Sequence, residues 1–296
     1  MTVCIAAICE NDVIIGASDR MLTAGSTEFE PAPSSKGQSF LTKILPVNES
    51  IALMTAGSAS LQTEIAVRMA HEFELVRGNQ PPHELTVPDV VEHYIRHYNA
   101  IRANVASHAI LAPLGLDQNS FIGRQKEMNE VFIREISSQL LNFSMPDIQT
   151  LVVGRDSTGA HLYKIDQAYS QCYDAIGFAA IGSGASHAES QFMLNGYNRL
   201  FPQEEAMWLT FLAKRKAEVA PGVGQVTDMF AIVPKRNSTP GFSYLMEAMN
   251  WVQLNAICDR YEAAQQEAFR NAGTQLTEQL KKYRDVKKAE AERKKD

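Results

Sequence analysis

Cysteine is scarce in this sequence. Four thiols in 296 residues, Cys4, Cys9, Cys172 and Cys258, are too few and too scattered for a disulfide-stapled fold or a zinc spacing, so neither a metal nor a cofactor is expected. Cys4 and Cys9 accompany an apolar run and read as small buried hydrophobes. Long hydrophobic runs are also lacking. No stretch approaches the roughly 18 apolar residues that cross a bilayer, and no charged leader with a cleavage site is visible. A soluble, cytoplasmic protein with no membrane partner is expected. Basic charge is not in excess: 28 Lys and Arg stand against 34 Asp and Glu, a net of −6, which gives no sign of a nucleic-acid partner. Tandem repeats are absent. What the chain does have is apolar content, 45% of residues, enough to bury a full core in one large domain or two small ones.

The stretch that organises the rest is the first twenty residues. Two apolar runs, Val3 to Cys9 and Val13 to Ala17, flank Glu10-Asn11-Asp12, and Asn and Asp tolerate the backbone of a tight turn. An antiparallel hairpin is predicted. Ahead of it stand only Met1 and Thr2. Removal of Met1 would leave a threonine hydroxyl and a free α-amine on one residue, a nucleophile carrying its own base. The amine has an unperturbed pKa of roughly 7.7 to 8.0, so nearby positive charge would make it a usable proton acceptor. Many chains begin Met-Thr, and an exposed terminus of no consequence is the plainer reading of Thr2 alone.

The order of residues downstream adds weight to the reading of Thr2 as a nucleophile. The second strand ends in Ser18-Asp19-Arg20, polar groups emerging from a buried run. A loop from Thr23 to Ser39 follows, and then Phe40 to Leu45 sets Lys43 inside an apolar strand. An unpaired ammonium there is costly, so Lys43 needs a carboxylate. Ile51 to Ala56 reads as a further strand running into Gly57-Ser58-Ala59-Ser60, small residues that let backbone approach a ligand and aim an N–H at it.

This ordered set resembles the β-type subunits of the proteasome and their bacterial relatives, the HslV-like peptidases and the ancestral β-subunit group, all N-terminal nucleophile hydrolases. The resemblance implies an active site of N-terminal threonine, an acid ending the second strand, a lysine beginning the third and a glycine after the fourth. These fall on Thr2, Asp19, Lys43 and Gly57, with one extra residue in the Glu10-Asn11-Asp12 turn. Farther on, Tyr173 to Ile181 leads into Gly182-Ser183-Gly184, similar to the junction where the family places a supporting serine, which implies Ser183. Near residues 217–224 the family has an aspartate, then a serine, then paired glycines. Here Glu218 stands for the aspartate, and Pro221 replaces the serine, removing a side-chain donor.

The remaining segments fill out the architecture. Helices are predicted over 61–76, ended by Gly78 to Pro82, and from Pro88-Asp89, where His93 and His97 lie four apart and read as solvated or partner-facing rather than metal-binding. Residues 108–125, with Pro113, Gly115 and Gly123, read as a loop, a flap or an interface insert. Glu127 to Phe143 is helical, Thr150 to Ile165 is a hairpin, two helices follow over 185–200 and 202–217, and the last strand is 227–233. Strands, helices, strands, helices and a strand predict an α+β fold of two antiparallel sheets covered on both outer faces, a four-layer αββα sandwich. Residues 1–236 form this domain. Residues 237–296 form a C-terminal helical extension, apolar in its first half and charged in its last part, read as a solvated helix or a docking arm between subunits.

The function expected from the resemblance is a threonine-type amide hydrolase acting on peptide or unfolded polypeptide. Homo-oligomeric rings or open helical stacks, and a separate ATPase unfoldase, are implied partners. A non-peptidase amidase of the same fold and a catalytically silent assembly subunit are the alternatives.

Overall fold

The structure is a computed structural model that describes residues 2–24, 27–30, 43–79, 85–234, 242–244 and 251–293. Tertiary contacts divide the chain into two units, Met1–Glu247 and Ala248–Asp296.

The predicted hairpin opens the first unit. β1 (Cys4–Ile8) and β2 (Ile14–Asp19) pair antiparallel from Cys4↔Ser18 to Ile8↔Ile14. The turn works because Asn11 and Asp12 take positive φ, 57° and 56°, a conformation these two side chains tolerate. The segment expected to be a plain loop contains two short paired strands, β3 (Leu22–Ala24) and β4 (Thr27–Phe29); residues 31–42 lie outside the described residues. β5 (Ile44–Pro46) starts one residue later than Lys43, which therefore precedes the strand rather than sitting inside it. β6 (Ile51–Gly57) then runs directly into α1 (Ala59–Asn79). That helix runs to Asn79, within the Gly78 to Pro82 stretch expected to end it; residues 80–84 lie outside the described set.

α2 (Val87–Ala106) begins where expected. Thr86 Oγ1 accepts the Asp89 N–H and Asp89 Oδ2 accepts the Thr86 N–H, a reciprocal cap with Pro88 in the first turn. The stretch read as a loop is helical instead: short turns over 107–114 and 125–127 surround α3 (Gln118–Gly123), and α4 (Glu130–Leu141) follows. Leu111, Phe121 and Ile136 are buried together, which gives these turns a small core of their own. Next come β7 (Ile148–Asp156), β8 (Gly159–Asp166), β9 (Tyr169–Cys172), β10 (Phe178–Ile181), α5 (Ala185–Leu194), α6 (Gln203–Ala217), β11 (Thr227–Pro234) and β12 (Phe242–Tyr244). β12 pairs with β11 within the stretch expected to be helical.

Two five-stranded antiparallel sheets result, one ordered β10-β1-β2-β11-β12 and the other β5-β6-β7-β8-β9. Alternation along the strands sends side chains to both faces. Cys4, Ala6 and Ile8 of the first sheet are buried together with Met54, Leu151, Val153 and Leu162 of the second, so the main core lies between the sheets. The opposite face of the first sheet, Val3, Ile5 and Ala7, is buried with Phe192, Leu209 and Ala213 of α5 and α6. The outer face of the second, Leu53 and Val152, is buried with Ile65, Met69, Tyr94 and Tyr98 of α1 and α2. Phe178 and Phe192 stack at 4.8 Å between ring centroids beneath α5.

α7 (Trp251–Arg293) makes up the second unit as a single 43-residue helix. Phe269, Leu276, Leu280 and Tyr283 are exposed on it. No helix among the described residues is long and apolar enough to cross a membrane.

Candidate active site

β1 and β2 run antiparallel, so the residue entering β1 and the residue ending β2 meet at one end of the first sheet. Thr2 and Asp19 are those residues. Thr2 Oγ1 donates to Asp19 Oδ1 at 2.5 Å, and the Val3 N–H donates to the same oxygen at 2.8 Å. Lys43 enters from the second sheet, its carbonyl accepting the Thr55 N–H at 3.0 Å. Its ammonium donates to Asp19 Oδ2 at 2.8 Å and also to Thr2 Oγ1. Asp19 Oδ2 further accepts the N–H groups of Met21 at 2.9 Å and Gly224 at 3.0 Å.

All three side chains are buried, Thr2 at 1%, Asp19 at 0% and Lys43 at 5% exposure. An ion pair in such a place is tolerable only because its remaining lone pairs and protons are satisfied. Asp19 meets that condition with two donors on one oxygen and three on the other. The Thr2 hydroxyl is thereby fixed at both ends: its oxygen accepts from an ammonium, and its hydrogen is held by a carboxylate. An oxygen so oriented has one lone-pair direction left for an incoming carbon.

Ser183 approaches from the other side of Thr2. The turn after β10 carries it there through Gly182, whose φ of 88° suits glycine and where a Cβ would collide with the Thr2 carbonyl. The Thr2 N–H donates to Ser183 Oγ at 3.2 Å, and the Gly184 N–H donates to the Thr2 carbonyl at 3.2 Å. Ser183 Oγ lies 3.1 Å from the Pro221 carbonyl, to which it donates. Pro221 thus takes part through its backbone, although its side chain offers no donor.

Gly57 ends β6 with φ 108°, and a Cβ there would collide with the Asp147 carbonyl oxygen. Gly57 is paired with Ile148, and the next N–H, that of Ser58, donates to the Asp147 carbonyl at 2.9 Å. In an antiparallel ladder this makes Gly57 and Ile148 a non-hydrogen-bonded pair, so the Gly57 N–H points away from β7. Thr2, Gly57 and Ser183 line one pocket of about 490 Å³, together with Asp147, Gln149 and Asp166. Gln149 Oε1 accepts the Gly182 N–H at 3.0 Å, tying the pocket floor to the Ser183 turn.

Of the six residues expected at the site, the structure brings Asp19, Lys43, Gly57 and Ser183 around Thr2 and leaves one apart. Glu218 accepts from Lys214 Nζ at 2.7 Å and from Arg215 at 3.4 Å; its hydrogen bonds go to α6 rather than to Ser183 or Thr2. Two site neighbours had no sequence expectation. One is the Gly224 amide on Asp19. The other is the buried pair of Arg20 and Asp228, with Arg20 Nε donating to Asp228 Oδ1 at 2.8 Å directly after Asp19 in the chain. The order Ser18-Asp19-Arg20 held that signal, since a cation leaving a buried strand requires an acid.

The His93 and His97 pair is half-buried rather than solvated. Both rings face Glu72 of α1, at 3.0 and 2.7 Å, and Arg96 approaches the same carboxylate at 3.1 Å. Burial would raise the Glu72 pKa, but hydrogen bonds from His93 and His97 outweigh it and hold the carboxyl below its ordinary value. Among the described residues no group of three or more His, Cys, Asp or Glu is arranged to hold a metal ion. In sequence comparison the chain matches no protein-family model and no curated protein.

Proposed function

We propose that this chain is a threonine-type amide hydrolase with the four-layer αββα sandwich of N-terminal nucleophile hydrolases, and that Thr2 is its nucleophile. The observation that carries the reading is the Thr2 hydroxyl held between the Lys43 ammonium and the Asp19 carboxylate, beside a pocket that Gly57 and Ser183 also line. Removal of Met1 turns the Thr2 nitrogen from a peptide N–H into an amine, with Ser183 Oγ already at hydrogen-bond distance to orient it.

The steps follow from these positions. Thr2 Oγ1 attacks the substrate carbonyl carbon, and its hydrogen turns from Asp19 Oδ1 and passes to the amine directly or through a water. Lys43 stabilises the negative charge developing on Oγ1, and Asp19 holds Lys43 in place. The carbonyl oxygen becomes an oxyanion that accepts from the Gly57 N–H. Collapse breaks the C–N bond, the leaving amine takes the proton back from the Thr2 ammonium, and an ester to Thr2 remains. Water, deprotonated by the same amine, then attacks the ester, which releases the acid and restores Thr2. Peptide or unfolded polypeptide is the substrate class of this reading. Homo-oligomeric assembly as a ring or open stack, and a separate ATPase, go with it as proposals.

A second reading, a non-peptidase amidase, draws on the size of the pocket. About 490 Å³ falls within the roughly 300 to 1,000 Å³ of small-molecule sites. Hydrolysis assays on fluorogenic peptides of increasing length, run beside small N-acyl amides and with Thr2→Ala as control, separate the two. Turnover that rises with peptide length supports the peptidase; turnover confined to small amides supports the amidase; no Thr2-dependent turnover of either contradicts both.

A further inference from the structure

The proposed mechanism does not use Lys214, a buried charge close to the site. Lys214 of α6 is 0% exposed, and all three of its ammonium protons have acceptors: Glu218 Oε1 at 2.7 Å, the Gly224 carbonyl at 2.8 Å and the Gln225 carbonyl at 2.9 Å. Burial pushes its pKa down, with Glu218 the main opposing influence. Keeping an ammonium there costs stability relative to an apolar side chain of similar size. Its position in the fold does not require it to fill the core, because Leu209, Ala213 and Ala217 already cover the first sheet from α6.

The segment Lys214 holds is in contact with the site at two points. The Gly224 N–H donates to Asp19 Oδ2 at 3.0 Å, and the Pro221 carbonyl accepts from Ser183 Oγ at 3.1 Å. Residues 221–225 therefore bridge the acid on one side of Thr2 and the serine on the other, with Lys214 fastening the far end through two successive carbonyls. We infer that Lys214 is a positioning residue for the Thr2 site, acting through the 221–225 segment to set the orientation of Asp19 and the placement of Ser183. This rests on the Thr2 reading above. Glu218 neutralises the lysine within the fold and does not itself act at Thr2.

The test reads the covalent labelling of Thr2 by a peptide epoxyketone, with the maximal rate and the half-saturating concentration measured separately on the full chain. Lys214→Met, or Lys214→Gln should Lys214→Met not fold, is expected to lower the maximal rate at least tenfold and leave half-saturation within about twofold, since substrate contacts are untouched. Lys214→Arg, which keeps charge and donors, is expected to recover within about threefold of wild type. A folded Lys214→Met or Lys214→Gln that labels at the wild-type rate overturns the inference. So does failure of both to fold, which would make Lys214 a structural residue only. Wild type that is never labelled at Thr2 contradicts the hydrolase reading itself and is a separate result.

Discussion

Asn in place of Asp19 is nearly isosteric, yet the geometry predicts a large cost. Oδ2 receives the Lys43 ammonium and the N–H groups of Met21 and Gly224; Oδ1 receives the Thr2 hydroxyl and the Val3 N–H. An amide nitrogen on the Oδ2 side faces three donors with no acceptor between them. Turned the other way, it faces the Val3 N–H. Either orientation also leaves the Lys43 ammonium, 5% exposed, without a counter-charge. Removing one partner of a buried pair costs about 3 to 5 kcal/mol, a large part of the roughly 5 to 15 kcal/mol that holds a domain folded. In urea, with a slope of about 3 kcal/mol per M, the unfolding midpoint should fall by roughly 1 to 2 M. Lys43→Met should cost less, because the carboxylate keeps the Thr2 hydroxyl and three backbone donors. The double variant should be less destabilised than the sum of the two by at least about 1 kcal/mol, the coupling expected for groups in one network. An Asp19→Asn midpoint within about 0.3 M of wild type would refute the claim that this carboxylate organises the site.

Two further outcomes follow from other parts of the fold. Burial works to raise the Asp156 pKa, but the Thr158 hydroxyl, the Val87 and Thr158 N–H groups and His161 outweigh it and hold the carboxyl below its ordinary value; its stabilising effect is present above the unfolded carboxylate pKa of about 3.9 and is lost as pH falls through the lower folded value. Melting temperatures at pH 7 and pH 3 should therefore differ less in Asp156→Asn than in wild type, and an equal difference would contradict the assignment. Gly57→Ala places a Cβ against the Asp147 carbonyl at a φ of 108°, so it should destabilise the chain by about 1 to 3 kcal/mol in chemical denaturation and abolish Thr2 labelling; wild-type stability and labelling would contradict the tight approach of β6 to residue 147.

Much of the fold and of the site was legible because local signals and tertiary structure agreed. Asn11 and Asp12 marked the first turn, Pro88-Asp89 marked the start of α2, and apolar runs bounded by turn residues marked β1, β2, β6, β7 and β8. Thr2 and Asp19 meet as a direct consequence of that first hairpin. What escaped was set by contacts that the pattern of its own residues did not show. β3, β4, β9 and β12 are three or four residues each, too short to show a period, and exist through pairing. Residues 108–125 carry Pro and Gly that suggested a loop, yet Pro113 sits in the first turn of a short helix, Gly115 takes φ 70° at its end and Gly123 is the last residue of α3. Lys214 was not singled out in the sequence; it is buried with its ammonium on the Gly224 and Gln225 carbonyls, a contact its helical neighbours do not reveal. Glu218 matched by spacing alone, and spacing does not show that a lysine one helical turn earlier claims the carboxylate.

The central claim is that the Thr2 hydroxyl forms the covalent bond. Its most direct test is the intact mass of the purified protein before and after treatment with a peptide epoxyketone or β-lactone. The account predicts a mass lacking Met1 and a single adduct that is absent in Thr2→Ala. Retained Met1 with no adduct, or an adduct of equal yield in Thr2→Ala, would contradict it.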